Sequence, residues 1–227
     1  MPMRSNILRD ETWYLKLVFQ KEIELSMKRL IGIDIGIKKL FATSDRQFFF
    51  TNFENVIHKL NNKKQNSKKW RRLKHWLKTE INRVIKQLIT GSFSPVLERL
   101  KNLKHKTKKE HRLNRGTRKL LHNWCYSYVL KRIKEVCEVR GVLWFAVPSN
   151  YTSRACPHCG YVDKRNRVGE KFKCLNCGFS EDADYVGALN ILKEISLQPI
   201  SRGVYSPSAC ETHSCGKFFH MNGNYKT

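Results

Sequence analysis

The chain has 227 residues, 41% of them apolar and 11% aromatic, enough for one sizeable core with a small module beside it and too apolar for wholesale disorder. Lys and Arg number 44 against 19 Asp and Glu, a formal charge of +25; a compact body so basic repels itself unless a polyanion partners it, and phosphate backbones are the usual one. No run approaches the ~20 apolar residues of a membrane span, no lipidation signal is present, and the N-terminal MPMRSNILRDETWY lacks the apolar core of a signal peptide. A cytoplasmic protein with no membrane partner is expected, and in a reducing compartment its eight cysteines point to metal or buried thiols rather than disulfides.

In chain order, WYLKLVFQKEIEL (13–25) opens with an apolar alternation that predicts a strand. RLIGIDIGIKKLFATS and RQFFFTN predict three strands joined by tight turns, with Gly32 and Gly36 flanking Asp34. From Lys59 to Lys86 there are eleven Lys/Arg and one acid, Glu80, with apolar residues at helical spacing. That pattern predicts a basic amphipathic helix, broken near Asn66, with Trp70 and Trp76 buried in preference to stacking on bases. Gly91-Ser92 ends it, and SPVLERL predicts a short strand. A second basic run, 99–119, carries the single acid Glu110 and predicts a loop. Helical spacing returns over 117–140 and stops at Gly141, with Cys125 and Cys137 as core thiols. VLWFAV predicts a strand buried on both faces. ADYVGALNILKEI predicts a last amphipathic helix, and the Ser/Gly/Asn-rich tail from Ser196 is expected to be poorly ordered.

Between that strand and the last helix lies CPHCGYVDKRNRVGEKFKCLNC, two C-x2-C pairs separated by fourteen residues. Each pair makes a knuckle that points two thiolates inward, and Gly160 and Gly178 permit the turns. Cys156, Cys159, Cys174 and Cys177 are therefore expected to close a tetrahedron around a structural Zn²⁺, a site with no open position for catalysis. The alternative is four buried free thiols. His158 is expected to be exposed, and Cys210, His213 and Cys215 lack a fourth ligand for a second site.

Acids are scarce in this chain, so their places matter. Asp34 interrupts the apolar IGIDIGI, where an unpartnered carboxylate costs several kcal/mol, and so calls for a metal or a hydrogen-bond network. Glu98 ends a strand and Asp184 starts a helix; alone they read as a surface charge and a helix cap. Together the three fit a plan in which grouped carboxylates hold two divalent ions ~3.5–4 Å apart and cut phosphodiester bonds. Mg²⁺ suits all-carboxylate ligation.

IGIDIGIKKLFATS, PVLERL, PSNYTSRACPHCG and DADYVGALNIL, in this order, resemble the RuvC-like nuclease half of the TnpB (OrfB-type) insertion-sequence proteins, relatives of the type V CRISPR effectors. The resemblance runs from about Leu30 to Leu192. It implies an α/β, RNase H-like (RuvC) mixed sheet with flanking helices and an inserted zinc ribbon. It places Asp34, Glu98 and Asp184 as the catalytic acids, with Asp182 the neighbour most easily confused with the last of them. The implied activity is RNA-guided cleavage of DNA, with no organic cofactor and with a guide RNA as partner of full-length relatives. The sequence departs from the family's pattern at Val186, where an Asn usually stands (Asn190 is retained), and at Arg99, where an acid usually follows the second catalytic residue.

The implied organisation is a remnant of an N-terminal wedge-type β domain at 1–28, the nuclease domain at 29–149 and 182–195, the ribbon at 150–181, and the tail at 196–227. An N-terminally truncated member is expected. The phosphate-binding candidates are Lys63, Lys64, Lys68, Lys69, Arg71, Arg72 and Lys74 on the helix, and Lys104, Lys106, Lys108, Lys109 and Arg112 in the loop. Competing readings are a non-catalytic nucleic-acid-binding remnant and an RNA-binding regulator of the chain's own transposon.

Overall fold

The computed structural model describes residues 6–9, 13–16, 24–99, 120, 123–148 and 151–196. The loop with Lys104, Lys106, Lys108, Lys109 and Arg112, and the tail with Cys210, His213 and Cys215, lie outside the described residues.

Two short strands, β1 (Asn6–Arg9) and β2 (Trp13–Lys16), pair antiparallel as a sheet of their own. The main sheet contains β3 (Arg29–Asp34), β4 (Phe41–Thr43), β5 (Phe48–Phe49), β6 (Phe93–Arg99) and β7 (Phe145–Pro148), in the spatial order β5-β4-β3-β6-β7. The first three strands pair antiparallel through tight turns, whereas β6 and β7 add on parallel to β3. Parallel neighbours need a long crossover. Helices α1 (Phe53–Asn61) and α2 (Lys68–Leu88) supply the first, and α3 (Tyr126–Val139) lies within the second. The result is the mixed α/β sheet of the RNase H-like plan.

Which side chains face which layer follows from the two-residue period of a strand. Ile31, Ile33, Phe93, Leu97 and Ala146 join the three helices in the larger core. Val96, Phe145 and Val147 face the other way, onto Leu30 and onto Ile191 and Leu192 of α4 (Ala183–Ser196). β3 and α4 approach closely at Gly32, where a Cβ would stand 2.1 Å from the Ala188 carbonyl oxygen. Only glycine lets this strand and helix close.

The basic stretch is two helices, divided at the break expected near Asn66. α1 ends at Asn61, Asn66 takes φ 63°, and the Ser67 hydroxyl caps α2 by accepting from the Trp70 amide at 3.2 Å. Trp70 is buried as expected, but the expected burial of Trp76 is corrected: it is 47% exposed. The reason is helical phase, since Trp76 lies four and seven residues beyond Arg72 and Lys69 and so shares their stripe. The strand expected over VLWFAV is shorter, because Val142 bridges Ser26 ahead of β7. Among the described residues, no helix is long and apolar enough to cross a membrane.

Candidate functional site

The cysteine module is built from two copies of one turn. In the first, the Gly160 amide donates to the Cys156 carbonyl at 2.9 Å and the Cys156 amide to the Tyr161 carbonyl at 2.9 Å. In the second, Gly178 donates to Cys174 at 3.0 Å and Cys174 to Phe179 at 2.8 Å. Gly160 and Gly178 take φ of 77° and 73°, a region open to glycine and costly for other residues. The four ligand atoms lie within 4.8 Å of one another, with Cys156–Cys177 and Cys159–Cys174 Sγ pairs at 3.6 Å. Four sulfurs ~2.3 Å from one ion have tetrahedral edges of about 3.8 Å, so the donor set fits a thiolate-loving metal such as zinc. The ribbon strands β8 (Arg167–Val168), β9 (Lys171–Lys173) and β10 (Ser180–Asp182) pair antiparallel, and Phe172 joins Cys156, Cys174 and Val186 in a small core. His158 is exposed and stacks on Phe179, with ring centroids 6.3 Å apart. Cys137 is buried, which pushes its thiol up to about 12, and Cys125 is half-buried.

The three acids singled out in the sequence open into a single cleft of about 520 Å³. Asp34 is the last residue of β3, on the α4 face with Leu30 and Gly32. Glu98 lies on the neighbouring parallel strand, one position beyond Leu97, which pairs with Ile33. Asp184 comes from the first turn of α4. Gly187, one turn further, has no side chain to hold Asp34 off, as a Cβ there would stand 3.1 Å from Asp34 Oδ2. Burial, then the Asp184 and Glu98 carboxylates, push the Asp34 carboxyl up to about 7, with Arg167 opposing. Burial also raises Glu98, against a hydrogen bond from Thr152. The positive charge at the cluster is gathered on Asp184, and Arg167 offsets only part of the rise at Asp34. Among the described residues, the cysteines alone close to within 4.8 Å as a group of metal-ligating side chains, and the carboxylates are spread wider.

Several side chains of the site gain a role that the sequence did not assign them. The Thr152 hydroxyl donates to Glu98 Oε1 at 2.7 Å. Asn190 of α4 donates to the Thr152 and Ala155 carbonyls, both at 2.8 Å, tying the segment ahead of the ribbon to the helix that bears Asp184. Arg167, on the first ribbon strand, donates to Asp184 Oδ1 at 2.9 Å. Lys39 Nζ lies 2.5 Å from Asp182 Oδ2 and 3.6 Å from Asp184 Oδ2. Asp182 itself caps α4, accepting from the Asp184 and Tyr185 amides at 3.0 and 3.1 Å. Val186, where the sequence departs from the pattern it resembles, is fully buried in the ribbon core.

The phosphate-binding candidates expected on one helix divide: Lys63 and Lys64 fall in the turn between α1 and α2 and not on a helix, because α1 ends at Asn61, whereas Lys68, Lys69, Arg71, Arg72 and Lys74 are on α2. All are exposed except Lys74, which lies half-buried over the Trp70 ring at 4.3 Å.

Residues 126–191 match the family model described as Cas12f1-like, TNB domain. The chain is 38% identical over 74 residues to the CRISPR-associated endodeoxyribonuclease Cas12f1 of Sulfoacidibacillus thermotolerans, a match covering 32% of this chain and 18% of that protein. It is 44% identical over 54 residues to a candidate RNA-guided DNA endonuclease, InsQ, of Escherichia coli (strain K12), covering 23% of this chain and 13% of that protein. The matched segments thus span less than a fifth of these relatives. In fold, the chain resembles Cas12f1 solved by cryo-EM in a Cas12f1-sgRNA-target DNA complex. The TM-score is 0.53 at 20% identity, over 82% of this chain and 55% of that one.

Proposed function

We propose that this chain, similar to the TnpB-like and Cas12f1 proteins, cuts DNA phosphodiester bonds in its acid cleft with two divalent ions, as the nuclease centre of a transposon-encoded, RNA-guided endonuclease. One observation carries the proposal: in a chain with only 19 acids, Asp34, Glu98 and Asp184 arrive from two strands and a helix in a single cleft. Those three would hold Mg²⁺, which accepts carboxylate, water and phosphate oxygens together. When bound, the ions supply an activated water and stabilise the leaving oxygen.

The chain's other residues prepare this centre. Thr152 fixes one oxygen of Glu98, and Asn190 fixes Thr152 in turn. Asp182 caps the helix and seats Lys39, leaving the other acid of its pair, Asp184, directed at the cleft. Arg167 balances the charge of Asp184 and, being one-third exposed, is placed to turn toward a phosphate oxygen. The cysteine ribbon holds one structural Zn²⁺ and sets Arg167 and Asp184 against each other. DNA as substrate and a guide RNA as partner come from what those relatives are named for, and the basic candidates in the α1–α2 turn, on α2 and in the loop give sequence-independent attraction to phosphate.

The test is nicking of single-stranded DNA by the purified, zinc-loaded chain in Mg²⁺, alongside Asp34→Ala. Cutting by the parent that Asp34→Ala abolishes is expected; equal cutting by the two would refute the assignment. A second reading, a nucleic-acid binder without productive cutting, is favoured by Lys39 and Arg167, which already occupy Asp184 from two sides.

A further inference from the structure

Trp76 is an unusual residue to leave in water. It is 47% exposed, yet its ring is held: Phe50 meets it edge-to-face at 6.5 Å and 87°, and Phe50 is in turn braced at 5.3 Å on the fully buried Phe53. Phe50 holds this place at φ 53°, a backbone setting that non-glycine residues adopt at a cost and that collects at functional sites. Other rings on or against α2 are covered by lysines, Lys74 over Trp70 and Lys78 over Tyr128. Among the described residues, no cation lies over Trp76.

The ring stands as a ridge between two grooves. One, of about 690 Å³ between α1 and α2, is lined by Lys59, Lys63, Lys69, Arg72 and Leu73. The other, of about 480 Å³, runs along Phe48–Asn52, and its one acid, Glu80, is already forked by Arg83 Nε at 3.0 Å to both oxygens. From Lys59 to Arg72 there are seven Lys/Arg and no acid. A flat apolar face within a groove of cations is complementary to one class of ligand, a strand whose bases are unpaired and whose phosphates run alongside. In a duplex the base faces are already stacked on each other.

We propose that Trp76 is a base-stacking platform in a single-stranded nucleic-acid site between α1 and α2, with Lys59, Lys63, Lys69 and Arg72 on the phosphates. The site draws on residues apart from the acid cleft, and it rests only on reading the α1–α2 face as a nucleic-acid surface. DNA and RNA strands share the chemistry it recognises.

The experiment is binding by the zinc-loaded chain in Mg²⁺-free buffer, where cutting plays no part. Tryptophan emission and fluorescence anisotropy are followed with oligothymidylate and oligouridylate of about a dozen nucleotides, and with a duplex. The parent should show quenching on binding either single strand, the tighter of the two naming the source. Trp76→Ala should weaken single-strand binding roughly five- to 150-fold while changing duplex binding less than about twofold. Trp76→Phe, which keeps a ring, should retain most of the affinity and lose the quenching, and it serves as the readout if Trp76→Ala is poorly folded. Single-strand affinity that falls with Lys69→Ala or Arg72→Ala, but stays within about twofold of the parent in Trp76→Ala, would overturn stacking and leave charge alone. Equal losses on single strands and duplex in Trp76→Ala would overturn it as well.

Discussion

The ribbon's four thiolates come from the single span 156–177, folded as two repeats of one turn, whereas the cleft's three carboxylates come from positions 34, 98 and 184. Each thiolate pair is placed by its own local turn and its own glycine. Each carboxylate is placed by the packing of a different element, so its position depends on the whole sheet and on α4. The two regions then share a boundary: Arg167 of the ribbon reaches Asp184, and Val186 buries against Cys156 and Cys174. A locally built module thus props a site that is assembled over long range, and the two should fail in different ways.

The largest effect should come from the ribbon. If one Zn²⁺ closes the four thiolates, its binding is folding energy for a module with a very small core, on the order of 10 kcal/mol. Chelation, or Cys174→Ser, is expected to release about one zinc per chain and to expose amides over 151–182 to hydrogen exchange. The sheet core around Ile33 and Leu97 should stay protected. Protein that holds no zinc, or that keeps its ribbon protected without zinc, would break the comparison at its first term.

Next in size is the contact that assembles the cleft. Gly32→Ala would put a methyl 2.1 Å from the Ala188 carbonyl oxygen, a backbone atom that cannot step aside without moving α4 off β3. A loss of about 3 kcal/mol or more is expected in denaturant titration, with the zinc content unchanged. A neutral outcome would show that long-range closure is softer than the geometry implies.

A smaller effect sharpens the electrostatics. With its folded pKa raised from 3.8 to about 7, Asp34 binds more protons in the folded than in the unfolded chain between those values. Stability of the Mg²⁺-free protein should therefore fall as pH rises from about 4 to 7. Asp34→Asn should remove that slope and be the more stable form at pH 8, by on the order of 2–4 kcal/mol. Mg²⁺ should raise the stability of the parent and leave the variant unmoved.

The same contrast explains what the sequence could reveal. The ribbon was legible because its ligands, turns and glycines fall within one short window, and because exposed His158 has no role that competes with the thiolates. Asp34 stood out by its cost in an apolar strand, β3 and β6 followed from short apolar runs bounded by turns, and α4 from its amphipathic spacing. Thr152, Asn190 and Lys39 showed only as parts of the family's motifs, without a role, and Arg167 only as part of the stretch between the cysteine pairs. Each acts through a partner 17 to 143 residues away, and polar residues in a basic chain advertise nothing of that. Trp76 was misplaced because it was counted into the apolar helical spacing with Leu73 and Leu77, when its spacing from Lys69 and Arg72 also put it on the charged stripe. The division between α1 and α2 was readable at Asn66, but the start of α1 at Phe53 lay upstream of the charge run that defined the helix.

The most direct measurement sets Asp184→Asn beside Asp182→Asn in the Mg²⁺-dependent nicking assay. The two residues stand on either side of Ala183, and both contact Lys39, but Asp184 opens into the cleft while Asp182 caps the helix. Asp184→Asn should lose cutting by about 100-fold or more, because a ligand to the ions is gone, and Asp182→Asn should cost only about 1 kcal/mol of stability and cut within about tenfold of the parent. An Asp184→Asn chain that cuts as well as the parent would contradict the account.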